Sequence, residues 1–378
     1  MSPRRPDPQL VAAIQTNCHI ADARQAADLP LCIYLLQMRE LYRWEQGQPF
    51  GASLDRAAVG TWLARREALW ASLEQRPYVP LPLGEQLFDP LDAERLNTAL
   101  APLGLVYGAG LEAANRQAFF LASLEQRQLR GDGLELQQCG REHARSLFAP
   151  PAALAGGRTI VLRRESLARW LWEKFEAFNL RRADGPFKAL ADAHGLHDNK
   201  AFFAALPRLL DELGETLVLH ELGEHRAGLW LGPGWPAMRL GLQQRRTDLQ
   251  VRAVRDHLAD LEVTLPTLLD RGAGTSLHFW FASFDGMREQ LFPSLPAAYA
   301  AWCAGDGGQA LGNAAGIGAM HFRDLASRVL ALHERLGRDA GPAIARLLSS
   351  PEAVCRAMEG ARSAQDADPQ PAPYSATE

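Results

Sequence analysis

The feature that most constrains the fold is a spacing of apolar residues by three and four positions, which recurs from Ser166 to Leu336. This is the period of an α-helix with one apolar face, and it predicts a C-terminal half built as a helical bundle. Ser166 is the expected N-cap of the first helix. The predicted helices of this half are 167–179, 187–194, 200–226, 248–265, 276–291, 295–303, 319–336 and 342–348.

The N-terminal half combines helical and strand patterns. Helices are predicted over 31–44 and 57–73, followed by a proline-rich connector at 77–83. Strands are expected only between about 103 and 162, where Gly131-Asp132-Gly133 predicts the turn of a β-hairpin and 149–157 a loop. The predicted fold class is therefore mainly α, with a helical-bundle C-terminal half and a mixed α+β N-terminal half that carries a small antiparallel sheet. The predicted domains are 1–165 and 166–360, followed by a disordered tail, 361–378.

Charge and composition exclude several classes of protein. The formal net charge is −4 over 378 residues, so no overall positive field favours nucleic acid. No apolar run reaches the roughly 20 residues of a membrane span, and no apolar signal segment follows the start. The five cysteines include no pair with CxxC spacing. We therefore expect a cytoplasmic protein with free thiols, no nucleic-acid partner and no membrane partner.

A group of ionisable residues extends one of the leucine stripes. Leu206, Leu210, Leu213 and Leu217 form the stripe, and the next positions on the same face are His220, Glu221 and Glu224. Glu212 and Glu215 fall on the opposite face, where solvated carboxylates are expected. Burying charged groups is costly unless they pair with one another or bind a metal. The segment is therefore the leading site prediction, and pairing with arginines such as Arg226 or Arg255 is the alternative.

The helix predicted at 248–265 offers further ligands. Asp256 and Asp260 are one turn apart, but they point away from the apolar stripe of that helix, which favours a solvated acidic face. Both are retained as ligands in case the helix is enclosed on all sides. His257 and Glu262 lie at the edges of the stripe and are rivals, while His278 opens an aromatic helix. The predicted metal ligands are His220, Glu221, Glu224, Asp256, Asp260 and His278.

Other patterns favour structural roles. Asn17, Cys18, His19 and Asp22 bring reactive types together, but neighbouring side chains diverge, so a buried structural thiol is favoured over a nucleophile. The segment from Lys188 to Leu206 has the spacing of a helix-turn-helix, but it lacks the cations that a recognition helix needs. The sequence contains no phosphate-binding glycine loop, no HExxH and no GxSxG.

Five segments resemble an uncharacterised bacterial protein family. The resemblance spans both halves, and its segments are NCHIADA from Asn17, MRELYRWE from Met38, RRESLARWLWEK from Arg163, HELGE from His220 and SLHFWFASFDGMREQLFPSL from Ser276. It implies a two-part, full-length architecture. Because that family has no established activity, the resemblance assigns no catalytic residue.

Two hypotheses for the function follow. The first is a helical-bundle metalloprotein or enzyme that binds iron or manganese, because the predicted ligands are carboxylates and imidazoles rather than thiolates. The second is a non-catalytic binding or scaffold protein, with a protein partner or a second copy held on aromatic surfaces. The nine tryptophans, and a turn that is expected to expose Trp230 and Trp235, favour this alternative.

Overall fold

The computed structural model describes residues 6–26, 31–112, 116–147 and 149–357. The predicted tail, 361–378, lies outside the described residues. The chain divides into two compact units with the boundary between Arg226 and Ala227. No described helix is long and apolar enough to cross a lipid bilayer.

The N-terminal unit combines helices with strands. Its helices are α1 (Pro8–Gln25), α2 (Leu31–Glu45), α3 (Arg56–Leu73), α4 (Ala93–Leu100), α5 (Arg164–Arg181), α6 (Pro186–His194) and α7 (Asn199–Leu231), the last of which continues past the boundary. Its strands are β1 (Leu81–Leu83), β2 (Gln86–Phe88), β3 (Leu105–Glu112), β4 (Arg116–Leu129), β5 (Glu135–Arg145), β6 (Ala152–Ala155) and β7 (Thr159–Arg163).

Two sheets form from these strands. β1 and β2 make a two-stranded antiparallel ribbon, and the larger sheet has the order β3-β4-β5-β7-β6. Its neighbours are antiparallel except β5 and β7, which pair in parallel. Helix α1 packs on β4 and β5, with Leu10, Ile14, Cys18 and Ala21 buried at helical spacing. This apolar face of α1 forms the core together with Phe119 and other side chains of the sheet.

The C-terminal unit is helical throughout its described residues. After the end of α7 come α8 (Gly234–Leu240), α9 (Arg245–Ala259), a π-helical turn (Asp260–Thr264), α10 (Leu265–Asp270), α11 (Gly274–Ala282), α12 (Gly286–Leu291), α13 (Leu295–Cys303), α14 (Gln309–Leu336) and α15 (Gly341–Leu348). The long helix α14 packs on α8, α9 and α13. Gly318 of α14 allows a close approach, because a Cβ there would lie 2.6 Å from the Phe292 ring.

The mainly α fold class, with strands confined to the N-terminal unit, is confirmed. Several boundaries were wrong. β1 and β2 lie outside the predicted strand region, where the prolines indicated a connector. Pro82 is tolerated in β1 because each strand of a two-stranded ribbon has a free edge, on which no backbone N–H is needed. β6 occupies part of the predicted loop at 149–157, where it pairs with β7. Ser166 lies inside α5 rather than before it, since the helix begins directly after β7.

The hairpin turn that joins β4 and β5 is confirmed. Arg130 N–H donates to the carbonyl of Leu134 across the turn. Asp132 and Gly133 both have left-handed backbone angles, with φ of 62° and 72°. Gly133 suits this position because it lacks a Cβ. In other residues the Cβ makes the left-handed region unfavourable by about 1–2 kcal/mol.

We predict that Gly133→Ala lowers the free energy of unfolding by about 1–2 kcal/mol, because alanine is strained at a positive φ. Urea denaturation followed by circular dichroism measures the change. Gly131→Ala is the matched control: it lies in the same turn, also has open space around its Cβ position, and its φ is not positive. Equal effects of the two substitutions would contradict the assigned turn geometry.

Candidate functional site

Helix α7 places two of the predicted ligands one turn apart. His220 Nε2 lies 3.9 Å from Glu224 Oε1, and the two side chains are 23% and 14% exposed. Glu221, between them in sequence, is buried. Leu213, earlier on the same stripe, is fully buried, and Leu217 is half-buried. The ionisable groups therefore continue the stripe into a region with restricted access to water.

Asp256, on α9 of the C-terminal unit, is half-buried like His220 and Glu224. All three were among the six predicted ligands. Within the N-terminal unit the structure brings together two of the six, His220 and Glu224.

Asp260 lies in a more enclosed position than the sequence predicted. Its carboxylate is fully buried, and Arg288 Nη1 lies 3.3 Å from its Oδ2. The solvated acidic face favoured for this aspartate was wrong, because every residue from 257 to 261 is buried and this turn presents no face to water. The π-helical turn begins here, at Asp260. Such turns change the direction of the following side chains, so the 3.6-residue projection fails beyond this point.

The rival residues have structural partners. The His257 ring stacks on Phe322 at 4.1 Å, and its Nε2 lies 3.0 Å from the Arg288 carbonyl oxygen. Burial lowers the pKa of His257 to about 3, so it is a neutral core residue. Glu262 accepts two hydrogen bonds from Arg323, at 2.5 and 2.8 Å.

His278 lies in an aromatic cluster. Its Nδ1 is 2.7 Å from the Tyr299 hydroxyl, and its ring is 5.2 Å from that of Trp302. Burial lowers the pKa of this imidazole. Arg226, one of the arginines expected to pair with the ionisable group, donates from its Nε to Asp132 Oδ2 at 2.6 Å.

The cluster from Asn17 to Asp22 joins α1 to its surroundings. Asn17 exchanges two hydrogen bonds with the backbone of Val79, and Asp22 accepts the Leu147 N–H. The Cys18 thiol is fully buried and donates to the Phe119 carbonyl at 3.3 Å. Burial raises the pKa of this thiol, which agrees with a structural role. The side chain of Cys32 lies outside the described residues.

His19 of this cluster is held neutral. Its ring contacts Arg66 Nη1 at 2.8 Å, and burial, followed by the charge of Arg66, lowers its pKa from 6.5 to about 3. The unfolded chain therefore takes up a proton near pH 6.5, whereas the folded chain does so only near pH 3. Stability from this residue is fully present above pH 6.5 and is lost progressively as the pH falls toward 3.

We predict that His19→Gln reduces the loss of stability between pH 7 and pH 5 by about 2 kcal/mol, since glutamine has no proton to gain. The measurement is the free energy of unfolding by urea at both pH values. His197→Gln is the control, because that side chain is 78% exposed. A loss in His19→Gln as large as that of the unsubstituted protein would show that His19 is accessible to protons in the folded state.

A buried ionic cluster was missed by the sequence analysis. The Glu142 side chain is 0% exposed; Arg163 Nη2 lies 2.8 Å from one carboxylate oxygen, and Arg169 Nη2 lies 3.4 Å from the other. The Ser166 hydroxyl donates to the same carboxylate at 2.6 Å. Arg145 Nη1 lies 4.0 Å from Glu142 Oε2, and the Arg145 side chain is also fully buried. These residues come from β5, β7 and α5, so no local spacing could have predicted that they meet.

The family comparison agrees with the resemblance seen in the sequence. Two family models match the chain, and both describe a family of unknown function (DUF6866). The model of its N-terminal domain matches residues 9–163, and the model of its C-terminal domain matches residues 168–351. The chain therefore belongs to this family of unknown function. No curated protein and no solved structure matches it. The predicted domain division near residue 165 stays a prediction.

Proposed function

We propose that this protein binds one divalent metal ion through His220, Glu224 and Asp256. The observation that carries the proposal is the pair of one imidazole and one carboxylate on α7, with His220 Nε2 3.9 Å from Glu224 Oε1 and both side chains half-buried. Asp256 is the proposed third ligand. We propose binding of the ion and no reaction at it.

The distances suit a common metal. Bonds of about 2.1 Å to nitrogen and oxygen allow two ligand atoms to be at most about 4.2 Å apart. The 3.9 Å between His220 Nε2 and Glu224 Oε1 lies within this limit. The spacing of four residues on one helix keeps the first pair together before the ion binds.

The donor set favours iron(II) or manganese(II). Carboxylate and imidazole ligands suit these ions, whereas thiolates would favour zinc. Proteins that place carboxylates and histidines on facing helices commonly bind iron or manganese. Glu221, Asp260 and His278 stay predicted as further ligands. The proposal needs neither Asp260 nor His278, because Arg288 and Tyr299 already contact them.

We expect purified protein to contain close to one equivalent of iron or manganese, or to bind one after treatment with a chelator. Glu224→Gln and Asp256→Asn should each lose the ion, because each removes a charged ligand while keeping the side-chain shape. Elemental analysis measures the content, and titration of the chelated protein with Mn²⁺ or Fe²⁺ measures the affinity.

Glu212→Gln is the matched control, since Glu212 lies on α7 about two turns before His220 and contacts Arg208 and His194. It should retain the ion. Retention of metal by both Glu224→Gln and Asp256→Asn would contradict the assigned ligands. An unsubstituted protein that neither contains nor binds metal, yet is fully stable, would overturn the proposal.

A scaffold role is the second candidate function. Leu229 and Trp230, adjacent at the end of α7, are 71% and 42% exposed, which favours contact with a partner. The expectation for Trp235 was wrong: it is 2% exposed, because α8 turns its ring into the core. If the metal test fails, a partner on the Leu229–Trp230 surface becomes the leading proposal.

A further inference from the structure

The N-terminal unit contains a cavity of about 430 Å³, away from the proposed metal ligands in sequence. Its walls come from α2, the segment that follows α2, the start of α5, and α7. The lining residues are Glu40, Arg43, Trp44, Gly47, Gln48, Pro49, Phe50, Glu165, Arg169 and Phe203. A volume of this size is within the range of small-molecule sites.

Three polar atoms of the lining are buried without a hydrogen-bond partner among the described residues. They are Glu40 Oε2, Arg43 Nε and Gln48 Oε1. Glu40 is 2% and Arg43 4% exposed, so neither side chain can turn out to bulk water. Buried polar groups normally have partners, since leaving them unsatisfied is costly. The cavity therefore offers two acceptors and one donor to a bound molecule.

The cavity lining carries groups of both charges. Arg43 pairs with Glu40 and donates to the Ala52 carbonyl at 3.1 Å. Arg169 also lines the cavity, and its Nη2 lies 3.4 Å from Glu142 Oε2. The lining thus has two guanidinium groups opposed by the carboxyl groups of Glu40 and Glu165. A pure anion would meet Glu40, and a pure cation would meet Arg43, so a ligand with both charges fits best.

The rest of the lining is apolar and aromatic. Trp44, Pro49, Phe50 and Phe203 contribute this surface. Trp172 packs on two of these rings, at a centroid distance of 6.5 Å from Phe50 and 5.3 Å from Phe203. An apolar group of the ligand can therefore pack against fixed rings.

We infer that this cavity binds a small zwitterion with an apolar side chain, of the α-amino acid class. Its ammonium group would donate to Glu40 Oε2 and Gln48 Oε1, and its carboxylate would accept from Arg43 and Arg169. Its side chain would pack against Phe50 and Phe203. These assignments give a partner to each of the three unpartnered atoms.

Glu165 adds a group that can donate or accept. Its Oε2 accepts the Glu142 N–H at 2.7 Å. Burial, followed by the charge of Glu142, raises the pKa of this carboxyl to about 7. Near neutral pH a large share of Glu165 is therefore protonated and can donate to a carboxylate, which reduces repulsion of the ligand.

The test uses the full chain and three probes of similar shape: L-phenylalanine, 3-phenylpropionate, which lacks the ammonium, and phenethylamine, which lacks the carboxylate. Isothermal titration calorimetry at pH 7 measures binding. We expect saturable 1:1 binding of L-phenylalanine, and at least tenfold weaker binding of the other two, about 1.4 kcal/mol for each lost charge contact. A panel of L-amino acids then identifies the preferred side chain.

Two variants connect binding to the cavity. Glu40→Gln should weaken the binding of L-phenylalanine at least tenfold, while changing the binding of 3-phenylpropionate little. Because Glu40 also pairs with Arg43, this variant could fail to fold, and Gln48→Ala removes a second acceptor without breaking an ion pair. Glu176→Gln is the matched control: Glu176 Oε2 lies 3.9 Å from Arg43 Nη1, but the residue does not line the cavity.

Binding of 3-phenylpropionate as tight as that of L-phenylalanine would overturn the inference in favour of an anion site. Absence of binding by every amino acid in the panel would show a cavity that holds water alone, and it would also overturn the inference. Unchanged affinity in Gln48→Ala and in folded Glu40→Gln would place any binding elsewhere. None of these outcomes depends on the metal ion, because no proposed metal ligand lines the cavity.

Discussion

Glu142 holds together much of the N-terminal unit, because its carboxylate is fully enclosed and interacts with three arginines. Arg163 and Arg169 contact it directly, and Arg145 lies at 4.0 Å. Removing one member of such a buried group typically costs about 3–5 kcal/mol, since it leaves the other charges without compensation. The ion cluster ties β5 to β7 and to the start of α5.

The same cluster determines the chemistry of the neighbouring cavity. Arg169 is held by Glu142, and Glu165 accepts the Glu142 backbone N–H, so two lining residues are positioned by one strand residue. Their rotamers are thus set before any ligand arrives, which lowers the entropic cost of binding. Charged groups that serve the fold and charged groups that face the cavity form one network. The Glu40–Arg43 pair of α2 adds the unpartnered atoms.

The proposed metal site depends on a different constraint, the geometry of one helix. Positions four apart on α7 lie on one face, so His220 and Glu224 are close together whatever surrounds them. That pair, and the continuation of the leucine stripe into it, could be predicted from spacing alone. The third ligand of the proposed site, Asp256, could not be assigned from helical spacing. Spacing placed Asp256 and Asp260 on one acidic face, yet Asp260 pairs with Arg288 in a fully buried turn.

Local pattern determined the mainly α fold class, the helical C-terminal half and the Gly131–Gly133 turn, since helical periodicity and turn residues act over a few positions. It also indicated a structural role for Cys18. Only the tertiary structure decided the parallel pairing of β5 with β7, the burial of Asp260, and the assembly of Glu142 with its arginines. These features join residues from separate elements. Their burial and partners depend on packing across the fold, which one segment of sequence does not encode.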